Sequence, residues 1–230
     1  MPLTNSTPPE GFRQHRFTPG PGATTVLLVR HGESAPAHPD RPFPLVDGHG
    51  DPALDPVGVQ QAALLADRLQ QEDIAAIYVT TLTRTHETAA PLAERTGLEP
   101  MVEPDLREVF LGDWEGGEFR ARAVAGDPLF AQIFTEERWD VIPGAESHDA
   151  FDERVWRGFQ RIVAAHPDER VMVVSHGGVI GQLLHRVTHS RRFAFSGADN
   201  ASISEVVVTP ERIVLRRYND TAHLLPLLTS

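Results

Sequence analysis

Thr25-Val26-Leu27-Leu28-Val29-Arg30-His31-Gly32-Glu33 is the stretch on which the reading of the fold turns. A short unbroken apolar run, rich in β-branched side chains, fits a strand covered on both faces, as in a mixed or parallel sheet packed between helices. The run stops at a guanidinium, an imidazole and a glycine. In open α/β sheets ligands bind beyond the carboxyl ends of the strands, so the end of this strand is a candidate site.

The arrangement repeats farther along. Val171-Met172-Val173-Val174 is a second apolar run, and Ser175-His176-Gly177-Gly178 follows it directly. Another strand is expected over residues 74–79. Helical patterns lie between the strands: at 57–69, opened by Asp55-Pro56; at 85–95, stopped by Gly97; and at 149–165, stopped by Pro167. Strands alternating with helices predict a layered α/β domain. Residues 203–208 and 213–217 flank Thr209-Pro210-Glu211-Arg212 and read as a hairpin near the sheet edge.

Residues 112–146 interrupt the alternation and carry Trp114, Phe119, Phe130, Phe134 and Trp139. They are expected to form a helical cap over the strand ends, with a satellite core as the plainer alternative. Residues 1–22, rich in Pro, Gly, Thr and Ser, predict a flexible N-terminal arm, leaving a single domain over 23–230.

Composition narrows the chemistry. The formal charge of −11 argues against a nucleic-acid partner, which needs a basic surface to displace counterions. Cysteine is absent, and with it go disulfides, zinc–thiolate sites and thiolate nucleophiles. Lysine is absent too, so all 21 basic side chains are arginines; Schiff-base chemistry and a Walker-type phosphate loop are excluded. No apolar run approaches the ~18 to 20 residues of a membrane helix. The first residues lack the order of a signal peptide, so no membrane association and a cytoplasmic setting are expected.

Arg30-His31-Gly32 sets a fixed cation beside an imidazole and follows them with a residue that lets backbone approach a ligand closely, three properties a phosphoryl group needs. A lone histidine after a strand is more often a hydrogen-bonded loop residue; His176 at a second strand end shifts that balance. Arg84 falls on the first turn of a helix opened by Thr80-Thr81-Leu82-Thr83, aimed at an anion gathered there, against the plainer reading of a surface arginine. Glu108, in Leu106-Arg107-Glu108, precedes the glycine-bounded Gly112-Asp113-Trp114-Glu115-Gly116; a carboxyl desolvated by such a segment suits a general acid.

Other groups read more plainly. His38, Asp40, Asp47, His49 and Asp51 fit no familiar metal spacing and predict a solvated loop. Arg191-Arg192 offers an anion site as one reading, but a charge pair after a helix end is expected to be a solvated face or a cap for backbone carbonyls and is left outside the site. Asn219 and His223 are expected to tie down the C-terminal segment. Phe110, Trp114 and Phe119 are expected between cap and sheet, with selection of an apolar substrate as the alternative reading.

In their order along the chain, Arg30-His31-Gly32, the Thr80–Arg84 helix start, Leu106-Arg107-Glu108 with Gly112-Asp113-Trp114-Glu115-Gly116, and Ser175-His176-Gly177-Gly178 resemble the histidine phosphatase (phosphoglycerate mutase-like) superfamily. The resemblance extends to Pro143–Ser147 and to Asn219–Leu224. It departs from the family where a serine-proline pair is replaced by threonines before Arg84, and where an asparagine six residues after the first histidine is replaced by Ala37.

The resemblance implies a three-layer α/β/α sandwich with a mostly parallel mixed sheet and a small helical cap insertion. It further implies metal-independent hydrolysis of a small phosphorylated substrate, with no cofactor, through a phosphohistidine on His31. Arg30, Arg84, His176 and the Gly177 amide would hold the phosphoryl oxygens, and Glu108 would be the general acid and base. A phosphoglycerate mutase is the first alternative; ungapped counting from Glu108 puts its tyrosine and lysine on Leu111 and Phe119. A non-catalytic phospho-ligand-binding member is the second. The hairpin offers an edge for a homodimer, with an edge covered by the terminal segment as the equal alternative, so the oligomeric state stays open.

Overall fold

Alternate residues of the first strand enter two different cores, and that alone requires layers on both faces of the sheet. Val26 and Leu28 pack into one cluster, Leu27 and Val29 into another. Val171 and Val173 divide from Met172 and Val174 in the same way. The protein is described by a computed structural model covering residues 14–228; the expected arm falls mostly on residues 1–13, outside the described residues, and residues 14–20 carry neither helix nor strand.

The strands are β1 (Thr24–Arg30), β2 (Leu45–Val46), β3 (His49–Gly50), β4 (Ala76–Val79), β5 (Met101–Val102), β6 (Arg170–Ser175), β7 (Ile203–Val208) and β8 (Ile213–Asp220). The helices are α1 (Pro56–Leu69), α2 (Thr83–Thr96), α3 (Glu118–Ala125), α4 (Pro128–Glu136), α5 (His148–Ala165), α6 (Gly177–Thr188) and α7 (Leu225–Leu228). The main sheet has the order β5-β4-β6-β1-β7-β8, parallel from β5 to β1 and antiparallel beyond it. Helices α5 and α6 cover one face through Phe151, Phe159, Ile180 and Leu184; α1 and α2 cover the other through Leu65, Leu69, Ala89 and Leu92. This is the three-layer α/β/α sandwich expected.

Differences from the sequence reading have local causes. The strand expected over 74–79 begins at Ala76; Ile74 is buried but bonds to Glu72 in a turn. Helix α6 has no sequence start signal, since Gly177-Gly178 are breakers by propensity and His176 gives no side-chain cap. Its buried Val179, Ile180, Leu183 and Leu184 hold it in place. Over residues 112–146 a 3-10 turn, α3 and α4 enclose a small third core of Trp114, Ile133 and Ile142, packed against Phe119, Phe130, Trp139 and Phe193. Among the described residues no helix is long and apolar enough to cross a membrane.

Candidate active site

The β1–β6 register places Arg30 opposite Ser175, so the next residue on each strand is a histidine at the same level. The His31 amide extends the ladder by donating to Ser175 O at 3.0 Å. The two imidazoles stand 5.2 Å apart, inclined at 61°. On the far side of β6, β4 leads into Thr80, whose hydroxyl lies 3.0 Å from His176 Nε2. Three adjacent parallel strands thus supply one cluster.

The partners of His31 fix its tautomer. Nδ1 faces Gly32 O at 2.7 Å, and a carbonyl only accepts, so Nδ1 carries the proton. Nε2 faces Arg84 Nε at 3.2 Å, and a guanidinium only donates, so Nε2 presents its lone pair. Burial first, then Arg84 and Arg30, push the His31 pKa well below the usual histidine value. The ring is therefore neutral and its unprotonated Nε2 faces Arg84. Burial, followed by Arg84, does the same to His176. The Thr80 hydroxyl is shared between His176 Nε2 at 3.0 Å and Thr85 Oγ1 at 3.2 Å, while Thr85 donates to Leu82 O at 2.8 Å.

Both arginines are anchored with donors to spare. Arg30 donates one Nη to Ala198 O at 2.6 Å. Arg84, itself only 7% exposed, donates to Gly50 O at 3.0 Å and lies 3.8 Å from Asp51 Oδ1. Arg30 Nε and His176 Nδ1 are buried and have no hydrogen-bond partner among the described residues. Buried polar atoms normally have one, so these two mark where a polar ligand group fits, with Arg30 Nε as a donor toward it. A Cβ on Gly177 would stand 3.5 Å from Arg30 Nε, so the start of α6 runs close by that donor. The positive ends of α2 and α6 add to the field.

Glu108 closes the cluster. Oε2 accepts from the Gly178 amide at 3.2 Å and Oε1 from the Val109 amide at 3.0 Å. Its backbone is held from α5: Arg154 donates to Glu108 O at 2.9 Å, to Arg107 O at 2.6 Å and to Asp105 O at 2.9 Å, while pairing with Glu146. His31, Arg84 and Glu108 line one cavity of about 320 Å³. Glu115 lines it too; burial raises its carboxyl pKa, and it accepts from the Gly50 and Leu111 amides at 2.6 and 2.9 Å.

The structure corrects the solvated-loop reading of residues 36–52. His38, Asp40 and Asp47 are exposed, but His49 and Asp51 are 6% and 7% exposed. Helix α2 starts at Leu82, which has no capping side chain. Asp51 caps it from the loop instead, accepting from Thr83 N at 2.8 Å and Thr83 Oγ1 at 2.6 Å. The loop therefore sets the helix that carries Arg84. Among the described residues no group of His, Asp or Glu is arranged to hold a metal ion.

Other sequence candidates fall where expected or nearby. Arg191 pairs with Glu137 at 2.7 Å, whereas Arg192, which the sequence left outside the site, lines a cavity shared with Glu108. Asn219 bonds Asp199, and His223 lies 3.1 Å from Ala201 O, holding the C-terminal segment. Trp114 is buried in the small core, Phe119 borders the cavities, and Phe110 packs on His49. Pattern reading missed Thr80, Asp51, Arg154 and Asn200, whose Nδ2 donates to His31 O at 3.0 Å. It also missed Arg120 of α3, which lines the cleft with Arg30 and donates to Ser34 Oγ at 2.7 Å.

Comparison with known proteins identifies the family. The histidine phosphatase superfamily (branch 1) profile matches residues 26–221. The phosphoglycerate mutase-like protein 4 of Arabidopsis thaliana is 39% identical over 171 residues, 73% of this chain and 72% of that protein. The metal-independent phosphoserine phosphatase of the same plant is 30% identical over 204 residues, 87% of this chain and 83% of that one. Among solved structures, the native mycobacterial glucosyl-3-phosphoglycerate phosphatase superposes with a TM-score of 0.72 at 28% identity, over 86% of this chain and 100% of that one. Likeness of this extent, carried through the strands that hold both histidines, means that the chain belongs to the histidine phosphatase superfamily, branch 1.

Proposed function

We propose that the chain hydrolyses phosphomonoesters by way of a covalent phosphohistidine on His31, with no metal ion required. It is a phosphatase of the histidine phosphatase type; the covalent step and the residue roles are our reading of the site. One observation carries it: the two partners of His31 force a neutral ring with the Nε2 lone pair facing the arginine cluster. A neutral imidazole so oriented is a nucleophile, not a charge holder.

Phosphoryl oxygens bear full negative charge and are better acceptors for Arg84 than an imidazole nitrogen, so substrate binding draws Arg84 off Nε2 and frees the lone pair. Arg30, Arg84, His176 and the Gly177 amide then offset charge on the equatorial oxygens. His31 Nε2 forms its bond to phosphorus as the ester P–O bond breaks, and the protonated Glu108 carboxyl gives its proton to the leaving oxygen. In the second half a water oxygen attacks phosphorus, its proton goes to Glu108, and the P–N bond breaks to regenerate His31. The two guanidiniums supply fixed positive charge for both transfers.

The test is phosphate release from a panel of phosphomonoesters, with EDTA, on wild type and His31→Ala, combined with denaturing quench of wild type to trap protein-bound phosphate. The expected result is turnover undiminished by EDTA and trapped phosphate that is acid-labile and alkali-stable, both lost in the variant. Residual turnover in His31→Ala above ~1% of wild type would remove His31 as the nucleophile, because loss of such a group costs far more.

A further inference from the structure

The side of the site that receives the leaving alcohol is walled by aromatic rings, and we infer that the preferred substrates are phosphomonoesters of apolar, ring-bearing alcohols. The inference rests on His31 as nucleophile and Glu108 as proton donor. In-line displacement puts the leaving oxygen opposite the attacking nitrogen, so the alcohol lies on the side of the group that protonates it. Glu108 borders two cavities, of about 320 and 420 Å³, both walled by Phe119 and Trp139. It does not border the larger cleft of about 990 Å³, whose walls carry Glu33, Asp55 and Glu118 together with Arg30 and Arg120 and none of the aromatic rings Phe119, Trp114 and Trp139. Glu115 lines that cleft and the cavity of about 320 Å³ alike, and the acid faces the aromatic side.

The second cavity bordering Glu108 is built from rings in succession. Phe119 contacts Phe130 at 5.3 Å between centroids, Phe130 contacts Phe134 at 5.2 Å, and Phe134 contacts Phe193 at 5.9 Å. Phe193 contacts Trp139 at 5.1 Å, and Trp139 returns to Phe119 at 6.1 Å, closing the circle. Four of the five belong to residues 112–146 and Phe193 follows α6, so the wall is assembled from cap and body together. Phe134 remains 44% exposed, an apolar ring turned to solvent at the rim. A cavity of this size, mostly apolar with a few polar groups, is of the kind that takes a small ligand.

Aromatic walls also attract quaternary ammonium groups, but the charged residues lining this cavity are Arg30, Arg192 and a single carboxylate, Glu108. Arg192 has no carboxylate partner within ion-pair distance among the described residues. Two guanidiniums against one carboxylate disfavour a cationic occupant and leave an uncharged or anionic ring as the fitting one.

The experiment compares primary alkyl esters, so that leaving-group acidity varies little: 2-phenylethyl phosphate, glucose 6-phosphate and choline phosphate, with methyl phosphate as the minimal substrate. Wild-type kcat/KM is expected to be at least about tenfold higher for 2-phenylethyl phosphate than for the other two, the scale that burial of a phenyl ring supports. The ratio of 2-phenylethyl to methyl phosphate should fall at least about fivefold in Phe193→Ala and in Phe134→Ala, the latter an exposed position where folding is not at stake. Calorimetric binding of 2-phenylethylphosphonate and methylphosphonate needs no chemistry and should show the same preference. Phosphonate preference without turnover would support the cavity and overturn the hydrolase reading. Turnover through His31 with equal kcat/KM values, a faster choline ester, or ratios unchanged in both variants would overturn the cavity inference while the hydrolase reading stands.

Discussion

Adding one methyl group at Gly178 is expected to cost the enzyme its leaving-group protonation while leaving its fold intact. A Cβ at that position would stand 2.5 Å from Glu108 Oε1 and 3.3 Å from its carboxyl carbon. The same residue's amide donates to Glu108 Oε2 at 3.2 Å, so a carboxylate driven aside loses its anchor as well. The clash involves the end of a rotatable side chain and no backbone atom. Gly178 is also the second residue of α6 and is not among the positive-φ glycines, so its backbone admits alanine. Net stability should therefore change by no more than about 1 kcal/mol. General acid catalysis is worth roughly 10²–10⁴ in rate, and its loss falls on esters whose alcohols cannot leave as anions. Gly178→Ala should lower kcat/KM about 100-fold for methyl phosphate but less than about tenfold for p-nitrophenyl phosphate, whose phenolate departs without a proton. The assay is kcat/KM across a series of aryl and alkyl phosphates, with thermal melts as the control for folding. A uniform loss across the series would refute Glu108 as the proton donor and leave only damage to phosphoryl binding; so would no loss at all.

Asp51→Ala removes the acceptor for the first amide of α2 and should cost about 1 kcal/mol, or roughly 2–4 °C in Tm; an unchanged melt would show that the loop does not hold that helix. His31, His49, His148, His176 and His223 all have pKa values lowered from 6.5, burial being the first cause in each. The unfolded chain thus takes up protons near pH 6.5 that the native protein excludes. Their contribution to stability is full above that pH and lost as pH falls, by about 1.4 kcal/mol per pH unit for each proton excluded. Melts from pH 7.5 to 5 should show Tm level down to about pH 6.5 and falling below it, and a flat or rising Tm below that point would contradict buried neutral imidazoles.

How much of this was legible in the sequence depends on whether a feature is local or assembled. Continuous apolar runs ending in Arg30-His31-Gly32 and Ser175-His176-Gly177 are local, and a strand buried on both faces carries its end residues to the same edge of the sheet whatever surrounds it. The helices at 57–69, 85–95 and 149–165 were likewise marked by their own periods and stops, and the lack of cysteine and lysine removed whole classes of nucleophile before any contact was known. Tertiary structure alone decided the rest. Asp51 reads as one more loop carboxylate until the fold sets it on the amide of Thr83, 32 residues away. Thr80 reads as a hydroxyl at a helix start until β4 lies beside β6 and turns it toward His176, 96 residues away. Arg154 reads as a helix-surface charge until it gathers the carbonyls of Asp105, Arg107 and Glu108. Periodicity reports which face of an element is buried; it carries no information on which distant polar atom that burial will bring within 3 Å, and hydrogen bonds are satisfied at that range.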